Sequence, residues 1–220
     1  MSIIQLMSKN ISNLHLDILD KERQELLTKL LPYTREFVLG GGTALALQLN
    51  HRKSFDFDFF SLSPIPKFFL EKLSKSIAIG NIASDTPDEL TFFTKNEIKV
   101  TFLYYPFKYS FPILKLENGL QMFPVEDIAV KKAYTIGRRG EYRDYFDLYT
   151  ILEEGCIQLP ELITVTKKVY ESVFEEKIFL QQLVYFKDLL NFDIIPTSSK
   201  PLPNPEEVKQ FFVTLVENYV

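Results

Sequence analysis

Hydrophobic and polar positions along this chain change their period several times, and the changes mark out elements. Residues 14–31, "LHLDILDKERQELLTKLL", put Leu14, Ile18, Leu26, Leu27 and Leu30 near helical spacing with charges between them, predicting a helix. "REFVLGGGT" predicts a short strand, Phe37 to Leu39, broken by glycines, and "TALALQLN" a short helix of strong formers. "SFDFDFFS" alternates with period two, as a half-buried strand does, and Pro64 and Pro66 end it before a helix in "KFFLEKLSKSI". "IAIGNIAS", "ELTFFTK" and "EIKVTFLYY" are rich in β-branched and aromatic residues and predict three more strands. From "FPVEDIAVKKAYTIGRRG" onward the period is helical. Helices are expected over 125–137, in "EYRDYFDLYTIL", in "LPELITVTKKVYESV" and in "EEKIFLQQLVYFKDLL". After the proline-rich "IIPTSSKPLPNP", "PEEVKQFFVTLVENYV" closes the chain with Pro at a helix start. The expected class is α+β: a mixed β-sheet core with helices over 1–115, then a helical half over 116–220 packed on it.

Within this pattern one strand is anomalous. In an extended chain Asp56, Asp58 and Phe60 share one face, and Phe55, Phe57 and Phe59 the other. The Phe row makes a core face. The two carboxylates then stand about 7 Å apart on the opposite face, where like charges repel unless a cation lies between them. A hard cation such as Mg²⁺ accepts a carboxylate pair completed by waters and substrate phosphates. The alternative is a solvated sheet edge. One short helix earlier, Gly40, Gly41, Gly42 and Thr43 offer backbone N–H groups at a helix start, either an anion site or simply a tight strand-to-helix turn. The run is neither a Walker A loop nor a dinucleotide fingerprint, since it lacks G-K-[ST] and G-x-G-x-x-G.

Composition narrows the classes further. The net charge of −4 excludes an evenly basic nucleic-acid binder but permits a local basic pocket. A single cysteine, Cys156, excludes a disulfide framework and a cysteine-rich zinc site, and only His15 and His51 exist, so no histidine-rich metal site forms. His51 reads as a loop residue or a substrate contact, not a ligand. No window carries the roughly 20 apolar residues of a membrane span, and the N-terminus lacks a signal-peptide pattern. The expectation is a cytoplasmic protein with no membrane partner.

The order G-[GS]-[ST], short helix, D-x-D resembles the signature of the DNA polymerase β-like nucleotidyltransferase superfamily. "GGTALALQLNHRKSFDFDFF", with the later "EDIAVKKAYTIGRRGEYRDYFDLYTIL", is similar to the AbiEii/AbiGii toxin family within it, along nearly the whole chain. The resemblance implies a nucleotidyltransferase-like fold. It implies Gly41, Gly42 and Thr43 on the phosphates, and Asp56 and Asp58 as catalytic ligands of Mg²⁺ (or Mn²⁺). It also implies Lys132 (with Lys131 as the alternative) on the triphosphate of an NTP substrate, and Asp144 and Asp147 as the last motif, in catalytic and nucleotide-binding roles. It implies transfer of NMP to an RNA acceptor, tRNA included, or to a protein, and a cognate antitoxin as partner.

Read from the residues alone, that later segment stays open. Lys132, Arg139 and Arg143 bring positive charge suited to phosphate. Asp127 and Lys131, four apart, suit a surface pair. Asp144 and Asp147 form either a solvated acidic face or an Arg–Asp network joining two helices. One departure is plain: where the superfamily's third carboxylate is expected, this chain has Thr101. Glu97, four residues earlier and about 13 Å off along an extended strand, is too far to replace it. The chain then either works with two carboxylates, borrows one such as Asp144, or is a weakened or inactive protein that binds nucleotide or a partner.

Overall fold

A computed structural model describes residues 14–197 and 201–220, so the expectations for the N-terminus, and residues 198–200 of the proline-rich connection, lie outside it. The chain divides into two compact units, one running up to Lys108 and resuming at Pro112–Pro124, the other formed by Tyr109–Phe111 and Val125–Val220.

In the first unit the expected 14–31 helix is interrupted. A single 3-10 turn covers Leu16–Ile18, Leu19 is extended, and helix α1 spans Lys21–Leu30. Asp20 is the cause, because its carboxylate accepts the Arg23 N–H at 2.9 Å and starts a new helix. Strand β1 (Val38–Gly40) leads into α2 (Gly41–Leu49), whose end is closed by Asn50 at φ +50° with its N–H on the Ala46 carbonyl. Then come β2 (Phe57–Ser61), α3 (Phe69–Ser74), β3 (Ile79–Asp85), β4 (Glu89–Thr94) and β5 (Lys99–Tyr104). Two short strands, β6 (Leu114–Lys115) and β7 (Gln121–Met122), complete a seven-stranded sheet in the order β3-β4-β5-β2-β1-β7-β6. The sheet is mixed, with β2 parallel to β5, β1 parallel to β7, and the other pairs antiparallel. The last two strands went unpredicted because two residues cannot display a period. They belong to the first unit through the pairing of Met122 with Leu39.

The alternation of β2 is realised as expected: Phe57 and Phe59 are fully buried and Asp58 and Phe60 half-buried. Phe59 stacks on Phe102 of β5 at 5.1 Å between ring centres, and Phe37 and Phe69 meet Phe102 edge-on at 4.9 Å. Leu90 and Phe92 of β4 and Val100 of β5 complete this core face. Each such aromatic contributes about 1.5–3 kcal/mol by burial, which fixes the strand's register and with it the face Asp58 must take.

The second unit is helical: α4 (Val125–Thr135), α5 (Tyr142–Glu153), α6 (Leu159–Tyr170), α7 (Glu176–Leu183) and α8 (Pro205–Glu217). Helix α4 packs on α5 and α6, and Tyr134 stacks on Tyr170 at 3.9 Å. Helix α8 opens with a capping box of Asn204 and Glu207 and presents Phe212 to Tyr145 of α5. The helix expected over 175–190 stops at Leu183. The chain beyond it instead bonds to the start of α5, with Leu190 N–H on the Gly140 carbonyl at 2.7 Å and Tyr142 N–H on the Leu190 carbonyl at 3.1 Å.

Candidate functional site

The glycine turn and the D-x-D strand meet side by side in the first unit. Strands β1 and β2 pair with Gly40 opposite Asp58, so Asp58 stands next to the first residue of α2. Gly41 has φ +66°, and a Cβ there would collide with the Asp58 carboxylate, whose carbon lies 3.3 Å from that point. At Gly42 a Cβ would collide with the Arg52 guanidinium and lie 3.0 Å from the Ser54 hydroxyl. The two glycines therefore leave room for one carboxylate and one cation to pack against the helix start. Gly41, Gly42 and Thr43 are its first three residues, whose N–H groups have no partner within the helix and carry its positive end.

Thr43 is turned inward. Its hydroxyl donates to the Asp56 carbonyl and lies 3.0 Å from the Ser54 hydroxyl, and the residue is 1% exposed. A hydroxyl has one proton, and a carbonyl can only accept, so Ser54 is the donor in the second bond. The Thr43 side chain thus tethers the entry to β2, and only its amide is left to serve a phosphate. Asp56 lies just before β2 and is half-buried, like Asp58. His51 and Arg52 are loop residues and both are buried. Arg52, whose Nη1 donates to the Lys53 carbonyl at 3.0 Å, is the cation the sequence reading gave no role. Only its place before the D-x-D strand hinted at one.

Thr101 lies on the strand beside Asp58. Asp58 pairs directly with Thr101 across β2 and β5, and Thr101 with Thr91 across β5 and β4. Glu97 is not on the strand at all: it sits in the turn before β5 at φ +58° and is exposed, so its expected place along an extended strand with Thr101 is corrected. Among the described residues no three His, Cys, Asp or Glu side chains gather into a metal cage. The donor set is a carboxylate pair at a helix start, which suits a hard cation that completes its shell with phosphate and water.

The second unit has its own charged cluster. Lys132 of α4 bonds Asp144 at 2.6 Å and Asp147 at 2.5 Å, both on α5. Arg139 grips the same Asp144 twice, Nε at 2.6 Å and Nη2 at 2.9 Å. Asp144 and Asp147 are 1% and 0% exposed. Burial alone would push the Asp144 carboxyl up, but Lys132 and Arg139 hold it below its ordinary value. This is the Arg–Asp network alternative, with Lys132 at its centre and not a solvated acidic face. Arg143 stays outside it, half-exposed and 3.6 Å from Glu141. A carboxylate held ionised by two cations is a weak base, and both partners of Asp144 belong to the second unit.

The expected surface pair of Asp127 and Lys131 is also corrected. Asp127 is fully buried and accepts the N–H groups of Ser110 and Phe111 at 3.0 and 3.1 Å, pinning that segment to α4. Lys131 lies 5.5 Å from the Tyr109 ring centre, and burial lowers its ammonium to about 8, against the pull of Asp127. Tyr109 is pushed up to about 12, by burial first and then by Asp127.

Among the described residues no helix is long and apolar enough to cross a membrane. Residues 25–212 match the family model of the nucleotidyl transferase AbiEii toxin, type IV toxin–antitoxin system. The chain is 32% identical over 213 residues to the uncharacterised protein aq_aa25 of Aquifex aeolicus (strain VF5), covering 92% of this chain and 98% of that one. The crystal structure of a nucleotidyltransferase candidate from H. pylori superposes with TM-score 0.56 at 20% identity, covering 91% of this chain and 95% of the other, which shows a shared fold. With the model matched over most of its length, the chain belongs to the AbiEii nucleotidyltransferase toxin family of type IV toxin–antitoxin systems.

Proposed function

We propose that the protein transfers an NMP group from an NTP to a hydroxyl of an RNA acceptor, with tRNA ends the first class to test. The observation that carries this reading is the Asp58 carboxylate seated against Gly41 at the start of α2, with Asp56 tethered beside it by Thr43. The amides of Gly41, Gly42 and Thr43, backed by Arg52, bind the phosphates. Asp56 and Asp58 hold Mg²⁺ or Mn²⁺. When bound, that ion neutralises phosphate charge and makes the acceptor hydroxyl more acidic. The acceptor oxygen bonds to the α-phosphorus, the bond from that phosphorus to its bridging oxygen breaks, and pyrophosphate leaves. In the second unit, Asp144 and Asp147 hold the Lys132 ammonium, and this cluster is the match to the family's last motif. A cognate antitoxin is the expected protein partner.

Incubation with each labelled NTP, Mg²⁺ or Mn²⁺ and total RNA tests this. Label should pass to RNA for at least one NTP, and a folded protein that labels nothing sinks the reading. Thr101 favours a second reading, a nucleotide- or partner-binding module without turnover. NTP and metal binding by calorimetry with no transfer would support that one.

A further inference from the structure

The face of the sheet that carries Asp58 also carries a continuous polar row. Asp58, Thr101 and Thr91 pair across three adjacent strands, and Glu89, two residues before Thr91, shares its face. The Thr91 hydroxyl lies 2.7 Å from Glu89 Oε1 and 3.4 Å from the Thr101 hydroxyl. Thr91 and Thr101 are 4% and 5% exposed, while Glu89 is half-buried. The Glu89 backbone is fixed by its N–H on the Thr86 hydroxyl at 3.0 Å and its carbonyl on the Thr86 N–H at 2.8 Å.

Proton counting gives the row a direction. An ionised carboxylate only accepts, so the short contact commits the single Thr91 proton to Glu89. Thr101 must then donate to Thr91, and its own lone pairs are left for a donor on the Asp58 side. The 3.4 Å contact is long for O–H···O, and such bonds tighten when substrate arrives. Glu89 is itself out of reach of the Asp58 site, since two strand spacings alone amount to about 10 Å.

We propose that Glu89, acting through the Thr91 and Thr101 hydroxyls, takes up the proton that the acceptor hydroxyl releases, in place of a carboxylate at position 101. The inference rests on the nucleotidyl-transfer reading. As the acceptor oxygen bonds to the α-phosphorus, its proton passes to Thr101, the Thr101 proton to Thr91 and the Thr91 proton to Glu89. Both threonines end neutral, Glu89 becomes a carboxylic acid, and pyrophosphate carries off the broken bond's electron pair. Glu89, half-buried, then returns the proton to water.

The test uses the full chain, labelled NTP, Mg²⁺ and RNA, with melting temperature and NTP affinity measured for each variant. Glu89→Gln keeps an oxygen for Thr91 to donate to but removes the basic group. It should leave melting temperature and KM unchanged and lower kcat by about 10²–10⁴-fold, the usual cost of losing a general base. Thr91→Val should lower kcat similarly and Thr91→Ser should restore it, which keeps the test open if one variant fails to fold. Thr101→Asp should make Glu89 dispensable, so that the double variant Thr101→Asp/Glu89→Gln regains most of the activity. The wild-type rate should fall non-linearly with the deuterium fraction of the solvent, because several protons move together. A wild type that transfers label while Glu89→Gln matches it in kcat overturns the row and leaves the transfer reading standing. A wild type inert with all four NTPs overturns both.

Discussion

Asp56 and Asp58 in the first unit and Asp144 and Asp147 in the second are the same residue type at similar spacing, yet their surroundings differ in kind. The first pair is half-buried at a helix start, with glycines cut back to make room. The second pair is sealed from water, with Lys132 and Arg139 bonded to it at 2.5–2.9 Å. A buried carboxylate must be neutralised inside the fold, so the second pair is closed by the protein's own cations. The first pair is set beside orphan amides and remains suited to a divalent ion and phosphate. What separates the two pairs is how far each is withdrawn from water, half-buried in the first unit and fully buried in the second.

The strongest way to break this contrast is Asp58→Asn. It should abolish Mg²⁺-dependent NTP binding and lower transfer by more than about 100-fold, since a catalytic metal supplies several kcal/mol. The fold should hold, because the change lies on the face opposite the phenylalanine core. Chelation of the metal should reproduce the loss. A large fall in thermal stability instead would make Asp58 structural.

Asp144→Asn should do the reverse, weakening the fold first. Removing one partner of a buried pair costs about 3–5 kcal/mol, mostly through Lys132, because Arg139 is 60% exposed and its share is screened. The wild-type carboxyl is held below its ordinary value, so its stabilisation is present above the unfolded value and lost as pH falls through the lower folded value. Urea unfolding of both proteins should show a gap at neutral pH that closes in acid. A gap that is absent at neutral pH would remove the closed-cluster account.

Much of this contrast was readable in the sequence, and the unreadable part has identifiable causes. The period-two run through Phe57 and Phe59 fixed both the strand and the face of Asp58, because each residue's side is set by its parity. Helix starts and stops at Pro160, Pro205 and Gly137 were likewise local. By contrast, the partners of Asp127 are amides at 110 and 111, which no spacing rule connects to it. Arg52 against Gly42 is a packing relation between a loop and a helix start. Glu89 and Thr91 alternate visibly in "ELTFFT", but their pairing with Thr101 depends on strand order. Asp20 shows a local signal outweighed by a longer one, since the helical spacing of Leu14 to Leu30 hid a capping residue.

Gly41→Ala sharpens the comparison at intermediate size. The left-handed backbone costs a side chain about 1–3 kcal/mol, and the added methyl meets the Asp58 carboxylate. Activity should fall far more than stability does, as read from kcat and the urea midpoint together. Equal losses in the two would mean the glycine serves the turn alone.

The smallest effect concerns Lys131, a partly buried cation of the second unit 5.5 Å from the Tyr109 ring centre. Burial lowers its ammonium to about 8, so the folded chain holds this proton less tightly than the unfolded chain does. The desolvation cost is fully present below pH 8, shrinks as pH rises towards the model-peptide value, and is gone above it. Lys131→Met keeps the apolar stem and removes that cost, while giving up the contact with Tyr109 and the attraction of Asp127. Asp127 still keeps its two amide donors. The net expectation is a small gain in stability at pH 7, because the burial cost outweighs the attraction of Asp127. The gain should diminish in unfolding experiments carried towards pH 10. The same substitution at Lys132 should destabilise, because there the lysine neutralises two buried carboxylates, and a stabilised Lys132→Met would mean that the two lysines had been assigned the wrong way round.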